Sequence, residues 1–231
     1  LIADRAGYIA QRSTDLQREL NQIALDGGGL QRIATHICDF AQQQVVLLRD
    51  DGQVVADAGM DDWPDSKRQA LLAGLPNIMS LRSWVVTQPP ENIGEVVGIL
   101  PMSNDSPANN DGGMTDLVVA PIVAGGSARG YCILVRTPQQ SQQDITAVEE
   151  IAALQGAAAA ALEWAKQNAV DIAEERMRAT FVDELLAFEI ADEQAWIQRG
   201  ASLNYDLDRP HVCCVVEAAN IPVWPEPLLR F

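Results

Sequence analysis

The sequence has little of what membrane proteins, metalloproteins and disulfide scaffolds require. No run approaches the roughly 18 to 20 uninterrupted apolar residues of a membrane-spanning helix, and the N-terminus lacks the charged-then-apolar order of a signal peptide. The two histidines, His36 and His211, have no Cys or carboxylate partner at metal-ligand spacing. The four cysteines lie in apolar runs, where Cys acts as a small hydrophobe. These absences exclude a membrane span and predict a cytoplasmic protein without a metal.

Positive charge is also scarce. The chain has 16 Lys and Arg residues against 32 Asp and Glu residues, and its formal net charge is −16. Such a surface repels a phosphate backbone, so this chain should not bind DNA by itself. It begins at Leu1 and not at Met, and it stops at Phe231 shortly after an apolar run. We therefore expect a fragment whose DNA contact, if the parent protein makes one, lies in a domain absent here.

Motifs that carry catalysis are missing as well. Nucleophilic catalysis needs an activated Ser or Cys with a positioned base, and the two histidines are far apart in the sequence. The run Gly27–Gly29 precedes a helix, but the Lys-Ser or Lys-Thr and the glycine spacing of phosphate-binding loops are absent. The sequence therefore predicts no catalytic residue and identifies no cofactor.

What is present is a regular order of helices and strands. Apolar residues at helical spacing predict a helix over 3–25 and a second helix directly after Gly27–Gly29. Residues 44–49 and 53–57 predict a hairpin, because Asp51-Gly52 tolerates the positive φ of a tight turn. The later predictions are a short helix within 61–74, a strand over 93–102, a surface loop over 103–115, strands over 117–124 and 131–136, a helix from 141 to about 188, a short helix over 192–203 and a strand over 211–217.

The long helix divides into two parts by composition. Residues 151–161 are mostly Ala, which predicts a flat wall that packs on the protein's own sheet. Beyond them the apolar residues step by three and four, as in a helix-pairing seam. This spacing predicts a homodimer through Leu162, Ala165, Ala169 and Ile172.

Large soft side chains in the middle of the chain predict a small-molecule pocket. They surround the predicted strands and the long loop, where they can line a cleft. Packing in the core or under a lid is the alternative interpretation. The candidate pocket residues are Trp63, Met79, Trp84, Met102 and Met114.

Two stretches resemble a GAF domain. Residues 116–134 are similar to the family's most recognisable segment, in which Pro121-Ile122 ends one strand and a Gly such as Gly130 opens the next. Residues 141–152 resemble its closing helix, and the likeness covers roughly residues 25–165. The resemblance implies a six-stranded antiparallel sheet with helices on one side and a ligand cleft on the other.

The remainder is similar to regulators of the PucR/CdaR type. Residues 181–187 and 201–210 resemble the entry to their middle domain, a degenerate GGDEF-like fold that precedes a DNA-binding helix-turn-helix. No Gly-Gly-Asp-Glu-Phe occurs, which argues against a cyclase. The expected division is a lead helix over 1–26, a GAF-like domain over 27–165, a linker helix over 166–188 and the start of the GGDEF-like domain over 189–231.

The sequence thus predicts an α+β fold and a non-catalytic function. We expect the sensory and dimerisation region of a bacterial transcription regulator, in which a small effector binds the GAF-like domain and the long helix carries the change onward. One alternative is a scaffold that dimerises without a ligand. Another is an enzyme, because some GAF proteins reduce free methionine sulfoxide with paired cysteines, for which Cys38 and Cys132 are the candidates here.

Overall fold

The fold is α+β, as predicted. A computed structural model describes residues 2–102, 116–137, 139–141, 143–187, 192–207 and 209. The chain divides into two compact units whose boundary lies between Val170 and Asp171. The elements are α1 (Ile2–Leu25), α2 (Gly29–Ala41), β1 (Gln44–Arg49), β2 (Val54–Ala58), α3 (Asp65–Ala73), α4 (Ile78–Val86), a 3₁₀ helix (Pro90–Glu95), β3 (Gly98–Pro101), β4 (Asp116–Ala124), β5 (Ser127–Val135), α5 (Ala147–Leu186) and α6 (Glu193–Ser202).

The first unit contains an antiparallel sheet. In the described part of the chain it has five strands in the order β2-β1-β5-β4-β3, whereas the family resemblance implied six. The three inner strands are nearly continuous apolar runs, and residues 45–48, 117–122 and 130–135 are all buried. Strands that are covered on both faces have such continuous apolar sequences because the side chains on neither face meet water. The sheet therefore has packing layers on both sides.

Helices α1, α2 and α5 cover one face. Ser13 of α1 accepts a hydrogen bond from Gln155 of α5 at 2.7 Å, and Lys166 of α5 donates to the carbonyl oxygen of Ala24 at 3.1 Å. The contact later in α1 is made by the residue later in α5, so the two helices run parallel here. The predicted wall is confirmed, since Ala152, Ala153, Ala157, Ala159 and Ala160 are buried in this layer.

The second face is covered by elements that the sequence predicted only in part. Helix α3 begins after Pro64, as expected, but α4 was not predicted. Its signal is Asn77, whose side chain accepts a hydrogen bond from the Ser80 backbone N–H at 2.9 Å and caps the helix. The expected cleft face is thus overlaid by α3, α4 and the 3₁₀ helix.

Three predicted boundaries were wrong. Residues 93–95 belong to the 3₁₀ helix, and the third strand covers only Gly98–Pro101. The second hairpin turns at Gly125-Gly126 alone, so β5 starts at Ser127, four residues before the predicted strand. Helix α5 begins at Ala147 and not at 141, and its 40 residues make it about 60 Å long. The loop over 103–115 and the strand over 211–217 lie outside the described residues.

Gly130 allows α5 to pack closely on the sheet. A Cβ atom at this position would lie 2.3 Å from the carbonyl oxygen of Leu48 on β1 and 2.4 Å from the ring of Trp164 on α5. Both distances are below any van der Waals contact. The glycine in the GAF-like stretch is therefore required for close approach between the helix and two strands.

Replacing Gly130 with Ala should destabilise the protein. Making room for the new methyl group would disturb the pairing of Leu48 with both neighbouring strands, so we expect the free energy of unfolding to fall by about 2 kcal/mol or more in urea denaturation. Gly7→Ala is the control, because nothing lies within 4 Å of a Cβ there and Ala suits a helix better than Gly. A loss no larger than the control's would contradict this role of Gly130.

Candidate functional site

The face of the sheet under α3 and α4 is the candidate sensory face. Its buried cluster includes Val46 and Leu48 of β1, Leu81 of α4 and Tyr131 of β5. Burial raises the pKa of the Tyr131 hydroxyl, with smaller contributions from nearby charged groups. Side chains of the covering helices therefore occupy most of the face that the family resemblance assigned to a cleft.

The structure brings three of the predicted pocket residues to this cluster. Met102 is buried, and Trp63 and Trp84 are half-buried against the cluster. The Trp84 ring lies directly against Gly98, where a Cβ would meet it at 2.5 Å, while Lys67 places its ammonium 3.9 Å from the Trp63 ring centroid. Met79 is 65% exposed on α4, and Met114 lies outside the described residues.

A cavity that is partly open to solvent lies on the same side of the sheet, beneath the first hairpin, and Gly52 and Asn77 at its rim are exposed. Its volume is about 240 Å³. Leu48, Gly52 and Val54 line it from the hairpin, and Leu72 and residues 75–78 line it from α3 and the segment leading into α4. None of these residues was selected from the sequence. Their signal is weak, because separate apolar residues acquire a common wall only when α3 and the hairpin meet.

A buried ion pair fastens the start of α5 to the end of β5. Arg136 directly follows β5, and its Nε donates to Oε1 of Glu149 in the first turn of α5 at 2.9 Å. The side chains are 0% and 2% exposed. Arg136 also donates to the carbonyl oxygens of Gln143 and Asp144, at 2.8 and 2.9 Å. One guanidinium thus binds the helix and the connection leading into it.

Glu149 receives further hydrogen bonds. Gln43 donates to Oε1 at 2.9 Å and the Thr146 backbone N–H donates to Oε2 at 2.8 Å, while the Thr146 hydroxyl accepts from the Glu149 N–H at 3.2 Å. Thr146 and Glu149 form a capping box. Burial alone would raise the pKa of Glu149, but the bonds from Arg136, Gln43 and Thr146 outweigh it and lower the pKa. This pair was not predicted, although Thr-x-x-Glu before an Ala-rich run is a recognised helix-start signal.

The outer face of α5 carries the predicted dimer residues. Leu162 is 43% exposed and Ile172 is 49% exposed, and Ala165 and Ala169 between them are also exposed. Trp164, in contrast, packs against the sheet at Gly130 and is only 7% exposed. The spacing of the four residues therefore presents an open apolar strip to solvent in the single chain.

The second unit has an aromatic cluster. Phe181 of α5 is buried, its ring centroid lies 5.1 Å from that of Trp196 on α6, and it stacks on Tyr205 at 5.7 Å. Arg199 lies over the Phe181 ring and forms an ion pair with Glu184 at 2.5 Å. Residues 181–187 and 201–207, which carry the second family resemblance, thus meet in one packing arrangement.

The described cysteines are poor nucleophiles. Burial raises the pKa of Cys132 to about 12, and burial followed by the charges of Asp39 and Asp61 raises the pKa of Cys38. A thiol must ionise to attack, so neither residue is activated. His36 contacts Glu19 at 2.6 Å. Within the residues that the structure describes, no group of three or more His, Cys, Asp or Glu is placed to hold a metal ion.

Comparisons with known proteins give distant structural likenesses. No family model matches the chain, and no curated protein matches it. A similar solved structure is the A. aeolicus nlh2 GAF domain in an inactive state, with 11% identity and a TM-score of 0.34 over 64% of this chain and 95% of that chain. No helix in the described part of the chain has both the length and the hydropathy of a membrane span. The function of the chain must therefore be argued from its own contacts.

Replacing Glu149 with Gln should strongly destabilise the protein. The change keeps the shape of the side chain but leaves the buried Arg136 without its counter-charge, which costs about 3 to 5 kcal/mol in the free energy of unfolding at neutral pH. Urea denaturation measures this. Glu150→Gln, the same change at an exposed neighbour, should cost less than about 0.5 kcal/mol. Equal losses in the two variants would refute the importance of the pair.

The pair also predicts acid sensitivity. Because the pKa of Glu149 is lower in the folded than in the unfolded chain, its stabilisation is fully present above the ordinary pKa of 4.5 and is lost as the pH falls through the folded value. The difference in unfolding free energy between the wild type and Glu149→Gln should therefore narrow from about pH 5 downwards. A difference that stays constant in acid would show that the charge of Glu149 is not responsible.

Proposed function

We propose that this chain is the sensory and dimerisation region of a bacterial transcription regulator. The observation that carries this proposal is the arrangement of α5. Its first turn is held on the sheet by the buried pair of Arg136 and Glu149, and its later turns expose an apolar strip. A helix whose first turn is fixed on the sheet and whose later turns are exposed suits the transmission of a conformational change from one domain to the next.

The domain division supports this function. We propose a GAF-like domain over 27–165, preceded by a lead helix over 1–26 and followed by a linker helix over 166–188. The GAF-like assignment rests on the Pro121-Ile122 to Gly130 stretch, on the antiparallel sheet and on the closing helix. Residues 189–231 begin the degenerate GGDEF-like domain of a PucR/CdaR-type regulator, as their resemblance implies.

DNA contact is assigned to another part of the parent protein. The net charge of −16 opposes binding to phosphates. A helix-turn-helix outside these 231 residues would make that contact, as in the regulators that the second half resembles. The role of this region is then to set the spacing and the state of the attached domains.

Homodimerisation through α5 follows from its exposed face. Leu162, Ala165, Ala169 and Ile172 step by three, four and three, which is the spacing of a two-helix seam. Leu162 and Ile172 at the two ends of this series are 43% and 49% exposed. Burial of such side chains against a second copy is worth about 25 cal/mol per Å² of apolar area, so an identical helix is a suitable partner.

A scaffold that binds no ligand is the second candidate function. It is favoured by the side chains that fill the sheet face under α3 and α4. The two candidates share the dimer and differ in whether the remaining cavity is used. Reduction of methionine sulfoxide is disfavoured, because burial raises the pKa of both described thiols.

Replacing Leu162 with Arg should separate the dimer. A charged side chain in the seam loses its hydration when the helices pair, which weakens association at micromolar concentration. Light scattering coupled to size exclusion should then give the mass of one chain, against two for the wild type. Gln167→Arg is the matched control, since Gln167 is exposed on the side of the helix opposite the seam. A wild-type mass of one chain, or an unchanged mass in Leu162→Arg, would eliminate the proposed seam.

A further inference from the structure

We infer that the cavity beneath the first hairpin binds a small, uncharged and largely apolar molecule that offers one hydrogen-bond acceptor. This inference rests on the proposed sensory function and names the class of effector. The cavity lies between two layers, because Leu48 and Val54 belong to the paired strands β1 and β2 while Leu72 and Leu75 come from the α3 segment. A ligand there would touch the sheet and its cover together.

The lining determines the chemistry. Among the described residues the lining is aliphatic apart from Gly52 and Asn77, and none of these residues carries a charge. An anion that enters would lose part of its hydration without gaining a counter-charge from these residues, and the chain's net charge of −16 adds to that cost. The lining therefore favours an uncharged ligand over phosphates, carboxylates and cyclic nucleotides.

Asn77 is the hydrogen-bonding side chain of the lining. Its Oδ1 accepts from the Ser80 backbone N–H at 2.9 Å and from the Ser80 hydroxyl at 3.2 Å. These bonds fix the orientation of the amide and leave Nδ2 to donate. A ligand with one acceptor, such as a ketone or an ether, matches this single donor.

The volume limits the size of the ligand. An apolar cavity of roughly 150 Å³ accommodates benzene. By proportion, about 240 Å³ accommodates roughly ten nonhydrogen atoms. The ligand is thus comparable to a substituted single ring or a short branched chain.

Leu48 connects this cavity with α5. Its side chain lines the cavity, and its carbonyl oxygen lies against Gly130, which the Trp164 ring also contacts. A shift of Leu48 on ligand binding would therefore act on Gly130, where α5 packs against the sheet. This is the shortest connection between the cavity and the strip that begins at Leu162.

The test uses three probes of similar size. Acetophenone is neutral and has a carbonyl acceptor, ethylbenzene lacks the acceptor, and benzoate carries a charge. Each is titrated into the whole chain while methyl carbon–proton spectra report Val54, Leu72 and Leu75. We expect saturable shifts with acetophenone, about fivefold weaker binding of ethylbenzene because one hydrogen bond is missing, and no saturable shift with benzoate.

Two variants give the inference its specificity. Asn77→Asp keeps the helix cap, since Asp and Asn cap equally well, but removes the donor, so the preference for acetophenone over ethylbenzene should disappear. Val54→Phe fills the cavity and should abolish the shifts, whereas Val86→Phe, the same change at a residue 83% exposed on α4, should not affect them.

Distinct outcomes separate the inference from the proposed function. Saturable benzoate binding at these methyl groups, an unchanged preference in Asn77→Asp, or no acetophenone binding at all would overturn the ligand class. A dimer that persists in that last case would leave the scaffold function standing. Acetophenone binding in a chain that stays monomeric would support the ligand class and remove the proposed seam.

Discussion

The buried pair of Arg136 and Glu149 is the interaction on which the arrangement of this chain depends. It joins the residue after β5 to the first turn of α5, and hydrogen bonds from Gln43 and Thr146 complete it. Because a helix is rigid, fixing its first turn fixes which side of each later turn meets the sheet. Ala152 and Ala153 are therefore buried against the sheet, and Leu162 is exposed.

The second constraint is that the helices and strands must approach each other closely at positions without a side chain. At Gly130 the absence of a Cβ lets Trp164 contact the strand pair, and at Gly156 a Cβ would meet Ile37 of α2 at 2.4 Å. The Ala-rich wall of α5 works in the same way, because small residues allow backbone layers to lie near one another. On the other face of the sheet, α3 and α4 cover large side chains such as Met60, Leu81 and Tyr131 and leave a small cavity that is partly open to solvent.

The proposed function joins these two faces. The apolar strip on α5 belongs to the helix layer, while the proposed ligand cavity belongs to the opposite layer. Leu48 on β1 takes part in both, through its side chain on one face and its carbonyl oxygen at Gly130.

The sequence alone determined the α+β class, the first hairpin, the two leading helices and the Ala-rich wall, since these depend on local periodicity and turn chemistry. It also placed Leu162 and Ile172 on one strip, because helical spacing is fixed. Only the tertiary structure decided that α4 exists, that β5 begins at Ser127, and that Arg136 pairs with Glu149. The predicted pocket shows the reason: Trp84 and Met102 were chosen for their size, but they pack in the cluster, and the cavity appears where Leu48 and Leu75 leave space. Empty volume is a property of several segments meeting, and no single segment encodes it.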